Sequence, residues 1–161
     1  MAVHRLSIGT FDEIDYKLIA IHTALEDYYL AFLINKNTPL LLSKTKENIS
    51  NPSKSSADAW YTRFTYQHVA NETTYHLIQN KTLVEVTSKQ KSPDLFQSGK
   101  QSMTTTAYLL PEFKMVDYFL KIENGDDAID KLTIQLQQID QIATLYEVNT
   151  SLIKSKNNLI F

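Results

Sequence analysis

Cysteine is absent from this 161-residue chain, and glycine is scarce, with only Gly9, Gly99 and Gly125. Without thiols there is no disulfide, no cysteine nucleophile and no thiolate metal site. Three scattered glycines cannot build a phosphate-cradling loop or a dinucleotide fingerprint. Both require several glycines close together so that backbone amides approach the phosphates. No serine sits in a G-x-S-x-G elbow, and the serines concentrate in polar stretches where nothing orients them. Long apolar runs are missing too. The longest, YYLAFLI at 28–34, falls far short of the ~20 residues of a membrane span. The opening MAVHRLSIGTFDE has neither the apolar segment nor the cleavage site of a secretory signal. A net charge of −2 gives no electrostatic reason to expect nucleic acid, despite lysine clusters at 44–54 and 89–100. The RNA-reading strand pattern of aromatic residues with flanking glycines is also absent. The expectation is a soluble cytoplasmic protein of one domain, 1–161, with no cofactor, no metal and no membrane contact.

What is present has clear periodicity. YKLIAIH, 16–22, is a nearly continuous apolar run, as expected of a central strand buried on both faces. Thr23 and Glu26 have the spacing of a capping box, which predicts a helix to about Lys36 with Leu25, Tyr29, Phe32 and Leu33 on one face. Asn37 and Pro39 stop it, and LLLSK, 40–44, resumes as strand. Residues 45–60 read as a polar surface loop ending at the single tryptophan. YTRFTYQHV and TTYHLIQ flank a turn at Asn71–Glu72. In that register His68 faces Tyr75, and one side collects Phe64, Tyr66, Tyr75 and Leu77. LVEVT, 83–87, extends the meander, and 88–103 is a second loop. TTTAYLL and VDYFLKI are two further strands.

A second helix follows NGDDAID, capped by Asp126 or Asp127. Its apolar stripe is Ile129, Leu132, Leu136 and Ile139. QIATLYEV, 141–148, returns as strand, with Ile142, Tyr146 and Val148 on one face. Strand–helix–strand therefore occurs twice, at 16–44 and 116–148. The fold class is α+β: a mostly antiparallel sheet with two helices on one face, as a ferredoxin-like or ACT-like core with inserted hairpins. The closing LIF is expected to dock.

At LPEFKMVDY, 110–118, the chain resembles the signature of the IPExxxVDY family of small bacterial proteins, with Leu110 in place of the first isoleucine. LIAIHTALEDYYLAFLINKN, 18–37, and IKSKNNLIF at the end are similar to that family's other landmarks, so the likeness spans nearly the whole chain. The family has no established activity. The resemblance implies a cytoplasmic housekeeping setting and no mechanism.

Two carboxylates, Glu112 and Asp117, interrupt that segment. As an acid–base pair they would converge on one substrate with environments that push their pKa values apart. As structural groups, Glu112 binds backbone amides or a lysine, and Asp117 binds loop amides or an ion-pair partner. His22 ends the first strand, a frequent ligand position in α/β folds, beside Glu26 and Asp27; its alternative is a core histidine bonded to backbone. His68 and His76 fall on opposite faces of the hairpin and do not share an ion. The candidate site residues are thus His22, Glu26, Asp27, Glu112 and Asp117, with no assigned catalytic role. Three functional readings stand. The first is a non-enzymatic adaptor or regulatory factor with a protein partner. The second is an ACT-like small-molecule sensor that uses pockets between its strand–helix–strand units and forms a homodimer. The third is a hydrolase or acyl-handling enzyme using His22 with Glu112 or Asp117.

Overall fold

The computed structural model describes residues 15–51, 58–87, 102–125 and 129–161. An interior strand of its sheet is β1 (Tyr16–His22), in which Leu18, Ile19, Ala20 and Ile21 have no exposed surface. Period-two alternation sends Ile19 and Ile21 to one face and Leu18 and Ala20 to the other. Both faces of the strand are therefore covered, as its unbroken hydrophobicity predicts.

β1 leads to α1 (Asp27–Asn37), and then to β2 (Ser43–Lys44), β3 (Ile49–Asn51), β4 (Ala59–Tyr61) and β5 (Arg63–His68). β6 (Thr73–Gln79), β7 (Lys81–Thr87), β8 (Ser102–Tyr108) and β9 (Tyr118–Glu123) follow. The chain closes with α2 (Ile129–Gln137) and β10 (Thr144–Val148). Six strands form an antiparallel sheet in the order β10-β1-β9-β6-β5-β2. Taken with the two helices, β10-β1-β9-β6 has the split β-α-β order of a ferredoxin-like core. The expected α+β class is correct. The strand that completes the first unit of this core is β6, however, while β2 is only a two-residue strand at the far edge.

Both helices cover one face. Leu30, Ala31, Leu33 and Ile34 of α1 and Ile129, Leu132 and Leu136 of α2 pack on Ile19, Ile21, Phe64, Leu77 and Leu120. The opposite face is covered by the insertions and the C-terminal segment. Ile49, Ala59, Tyr61, Val84, Leu109, Leu110, Ile153 and Leu159 close over Leu18, Ile78 and Phe119 there. A Cβ on Gly125, just after β9, would come 2.6 Å from the Thr73 methyl, so glycine permits the close approach of these two chain segments.

Several local expectations are corrected. The capping box does not form: α1 begins at Asp27, and Glu26, at its N-cap, makes no side-chain capping bond. Tertiary partners take Thr23 instead, since its amide donates to Asp117 and its hydroxyl donates to the Gln141 carbonyl. The buried stripe of α1 runs through 30, 31, 33 and 34, leaving Tyr29 and Phe32 exposed. In a run as apolar as YYLAFLI two overlapping stripes exist, and the sheet takes the one with compact aliphatic side chains. The hairpin turn is longer than two residues, so His68 pairs with Thr73 and Tyr66 with Tyr75. This shift of two preserves the face of every side chain, and Phe64, Tyr75 and Leu77 are buried as expected.

β7 leaves the meander and pairs with β8 in a separate two-stranded ribbon. The polar stretch 45–60 contributes the short β3–β4 pair. Ile142 precedes β10 and packs beneath the helices, whereas Val148 joins the opposite face. The expected cap at Asp126 or Asp127 lies outside the described residues, as does most of the loop expected at 88–103.

Candidate functional site

The segment between β8 and β9 carries the family-like signature and links the ribbon to the main sheet. Pro111 fits the first turn of the short 3₁₀ helix Pro111–Phe113, where a missing N–H leaves nothing unsatisfied. The turn is tied down at three points.

The first tie is Asn80, at the junction of β6 and β7 and without exposed surface. Its side-chain amide donates to the Phe113 and Val116 carbonyls, both at 2.9 Å, and its Oδ1 accepts from the Leu110 amide at 2.9 Å. Its backbone N–H donates to the Asp117 carbonyl, and its carbonyl accepts from the Leu109 amide. One side chain thus supplies backbone partners on both sides of the 3₁₀ turn.

The second tie is Glu112, which reaches the C-terminal segment. Its Oε1 accepts from the Lys154 and Ser155 amides at 2.8 and 2.9 Å, and its Oε2 accepts from the Ser155 hydroxyl at 2.9 Å. Burial alone pushes its pKa up. The hydrogen bonds from Ser155, from its own backbone and from Lys154 outweigh burial and hold it below the ordinary 4.5. A depressed folded-state pKa means that the stabilisation is complete above 4.5 and is lost as the pH falls through the folded value. Glu112→Ala is expected to lower stability by about 1–2 kcal/mol at neutral pH. The wild-type advantage should shrink steadily on acidification below 4.5, as urea melts at a series of pH values would show. A pH-independent difference would disprove the ionic origin.

The third tie is Asp117. Its Oδ2 accepts from the Thr23 amide at 3.0 Å, and its Oδ1 lies 2.6 Å from Lys81 Nζ. Lys81 also donates to the Met115 carbonyl at 3.3 Å. These groups line a cleft of ≈ 240 Å³ with Glu26, Gln79 and Tyr118 between the β1–α1 connection and β6–β7. The Tyr118 hydroxyl donates to the Leu25 carbonyl at 2.8 Å. Burial, then the negative charges of Asp27, Glu26 and Asp117, push its pKa up, so Tyr118 stays protonated.

The five candidate residues therefore divide into separate settings. Glu26 and Asp117 share the cleft. Asp27 begins α1, with Oδ2 3.9 Å from Lys44 Nζ. Glu112 faces the C-terminal segment. The His22 ring stacks on Tyr146 at 5.8 Å, and its carbonyl accepts from the Ala143 amide. The hydrolase reading requires His22 to meet one of the motif carboxylates. Here both oxygens of Glu112 and both oxygens of Asp117 are engaged elsewhere. Among the described residues, no group of three or more acidic or histidine side chains is arranged to hold a metal ion, and no helix is long and apolar enough to cross a membrane.

Sequence reasoning misses Asn80 and Lys81, the two residues that bind the motif from outside. A polar pair between two β runs reads as a turn, and only their partners 30 or more residues away give them another role. No protein-family model, no curated protein and no solved structure matches the chain.

Proposed function

We propose that the protein is a non-enzymatic cytoplasmic binding factor of the IPExxxVDY type, and that its protein partner docks on the outer face of α1. The observation that carries this reading is the aromatic surface of that helix. Tyr28, Tyr29 and Phe32 are 67%, 42% and 56% exposed, and the Tyr29 and Phe32 rings stack at 6.1 Å. The core receives the other side of α1, so packing within the fold does not account for three aromatic side chains facing outward. Clustered exposed aromatics are typical of interaction surfaces and supply much of their binding energy. Glu26 and Asp27 stand at the N-terminal end of this surface, which suits a partner with an apolar cleft bordered by lysine or arginine.

The test is native co-purification of the tagged wild type beside the double variant Tyr29→Ser, Phe32→Ser. A stoichiometric protein retained by the wild type should be reduced at least about tenfold on the variant, with little change in thermal midpoint because both side chains are already exposed. If the partner is a second copy, light scattering should show a wild-type dimer and a monomeric variant. Identical retention by both proteins, or a solitary wild-type monomer, would refute this docking surface.

A further inference from the structure

A second cleft lies between the two strand–helix–strand units, away from the signature segment. It has a volume of ≈ 250 Å³ and is lined by Pro39 and Leu40 after α1, Tyr66, His68, Asn71 and Tyr75 of the β5–β6 hairpin, and Lys131, Leu132 and Gln135 of α2. Its walls combine two chemistries. Leu40 and Leu132 are buried and apolar, and the Tyr66 and Tyr75 rings stack at 6.1 Å. Around them stand polar groups that can donate hydrogen bonds: two phenols, an imidazole, two carboxamides and one ammonium. Among the described residues no carboxylate lines the cleft.

We propose that this cleft binds a small aromatic monocarboxylate, with its ring against Tyr66, Tyr75 and Leu132 and its carboxylate on Lys131. The size fits one ring and an acidic substituent, because a cavity of about 150 Å³ already accepts benzene. Aromatic walls favour a planar apolar body in offset contact. The single ammonium sets the charge, since a monoanion is neutralised by one lysine whereas a phosphate dianion retains excess charge. Among the described residues Lys131 has no carboxylate partner. The Tyr75 phenol is raised in pKa by burial and by Tyr66, so it remains a hydrogen-bond donor. This inference is independent of docking on α1 and gives the sensor reading a specific ligand class.

The test is NMR titration of the full chain with benzoate, benzamide, acetate and inorganic phosphate, each to about 10 mM. Benzoate should produce saturable shifts at Tyr66, Tyr75, Lys131 and Leu132, while benzamide, acetate and phosphate bind much more weakly. Lys131→Gln, on an exposed position, should weaken benzoate about tenfold and leave benzamide unchanged. Absence of saturable benzoate shifts, equal affinity for benzamide, phosphate binding as tight as benzoate, or indifference to Lys131→Gln would each overturn the proposal.

Discussion

Asn80→Ala is expected to destabilise the protein by about 3–5 kcal/mol, although Asn80 lies outside the signature segment that it anchors. The mutation deletes three side-chain hydrogen bonds at a position with no exposed surface. It leaves the Phe113 and Val116 carbonyls and the Leu110 amide without their partner, and each buried orphan costs about 1–3 kcal/mol before relaxation. Asn80→Asp is the sharper companion. It keeps the shape and the acceptor, removes the donating amide, and presents negative charge to two carbonyl oxygens. Urea unfolding should show both variants with much lower midpoints, and Asn80→Asp should improve on acidification as the carboxylate is neutralised. A loss below about 1 kcal/mol for both would show that the turn holds without Asn80. The same substitutions should loosen the Lys81–Asp117 cleft, since Asn80 also pairs through its backbone with Asp117.

Glu123→Ala carries a comparable penalty for a different reason. Lys121 is 5% exposed on the sheet face opposite the helices, with Nζ 2.5 Å from Glu123 and 2.9 Å from the Leu159 carbonyl. Its ammonium also faces the Tyr16 and Phe161 rings at 5.0 and 4.9 Å. Removing Glu123 strands this cation, and breaking a buried pair in this way costs about 3–5 kcal/mol. The double variant Lys121→Met, Glu123→Gln should recover much of that loss, because an apolar side chain of similar length has no charge to desolvate. A double variant as unstable as Glu123→Ala would locate the effect in packing rather than charge.

His76 adds pH dependence to the same cluster. Its Nε2 is 3.7 Å from Glu123, and its pKa is lowered to about 4. Burial is the main cause, opposed by Glu123 and reinforced by Lys121 and Arg63. The unfolded chain binds this proton near pH 6.5 and the folded protein only near 4. Stability is therefore complete above 6.5 and falls as the pH is lowered towards 4. His76→Gln should flatten that part of the curve.

Much of this architecture is legible in the sequence, although unevenly. The buried character of β1 follows from YKLIAIH, and the core face of the hairpin follows from Phe64, Tyr75 and Leu77, because alternation determines faces without knowing partners. Alternation does not determine turn length, so the pairing offset escapes it. The α1 stripe is ambiguous because nearly every residue from 28 to 34 is apolar, and the sheet decides which side is inside. The capping pattern at Thr23 and Glu26 is real as a pattern, but Asp117 competes for the Thr23 amide from 94 residues away. Glu112 and Asp117 both make backbone bonds: one holds the C-terminal segment and the other the β1–α1 connection. Their anchors were not readable, because side-chain partners distant in sequence leave no local period.

The interior place of β1, between two strands made late in the chain, has a consequence for biosynthesis. Among the described residues β1 pairs with β9 and β10 alone, so about 100 residues separate its end from its first partner. At translation rates of ~5–20 residues per second, β1 emerges about 5–20 s before that partner exists. During this interval one of the most apolar stretches of the nascent chain has both strand edges open. Ribosome-associated chaperone demand should therefore be greatest early in synthesis, and a block to elongation between β1 and β9 should leave an aggregation-prone fragment rather than a partly folded one.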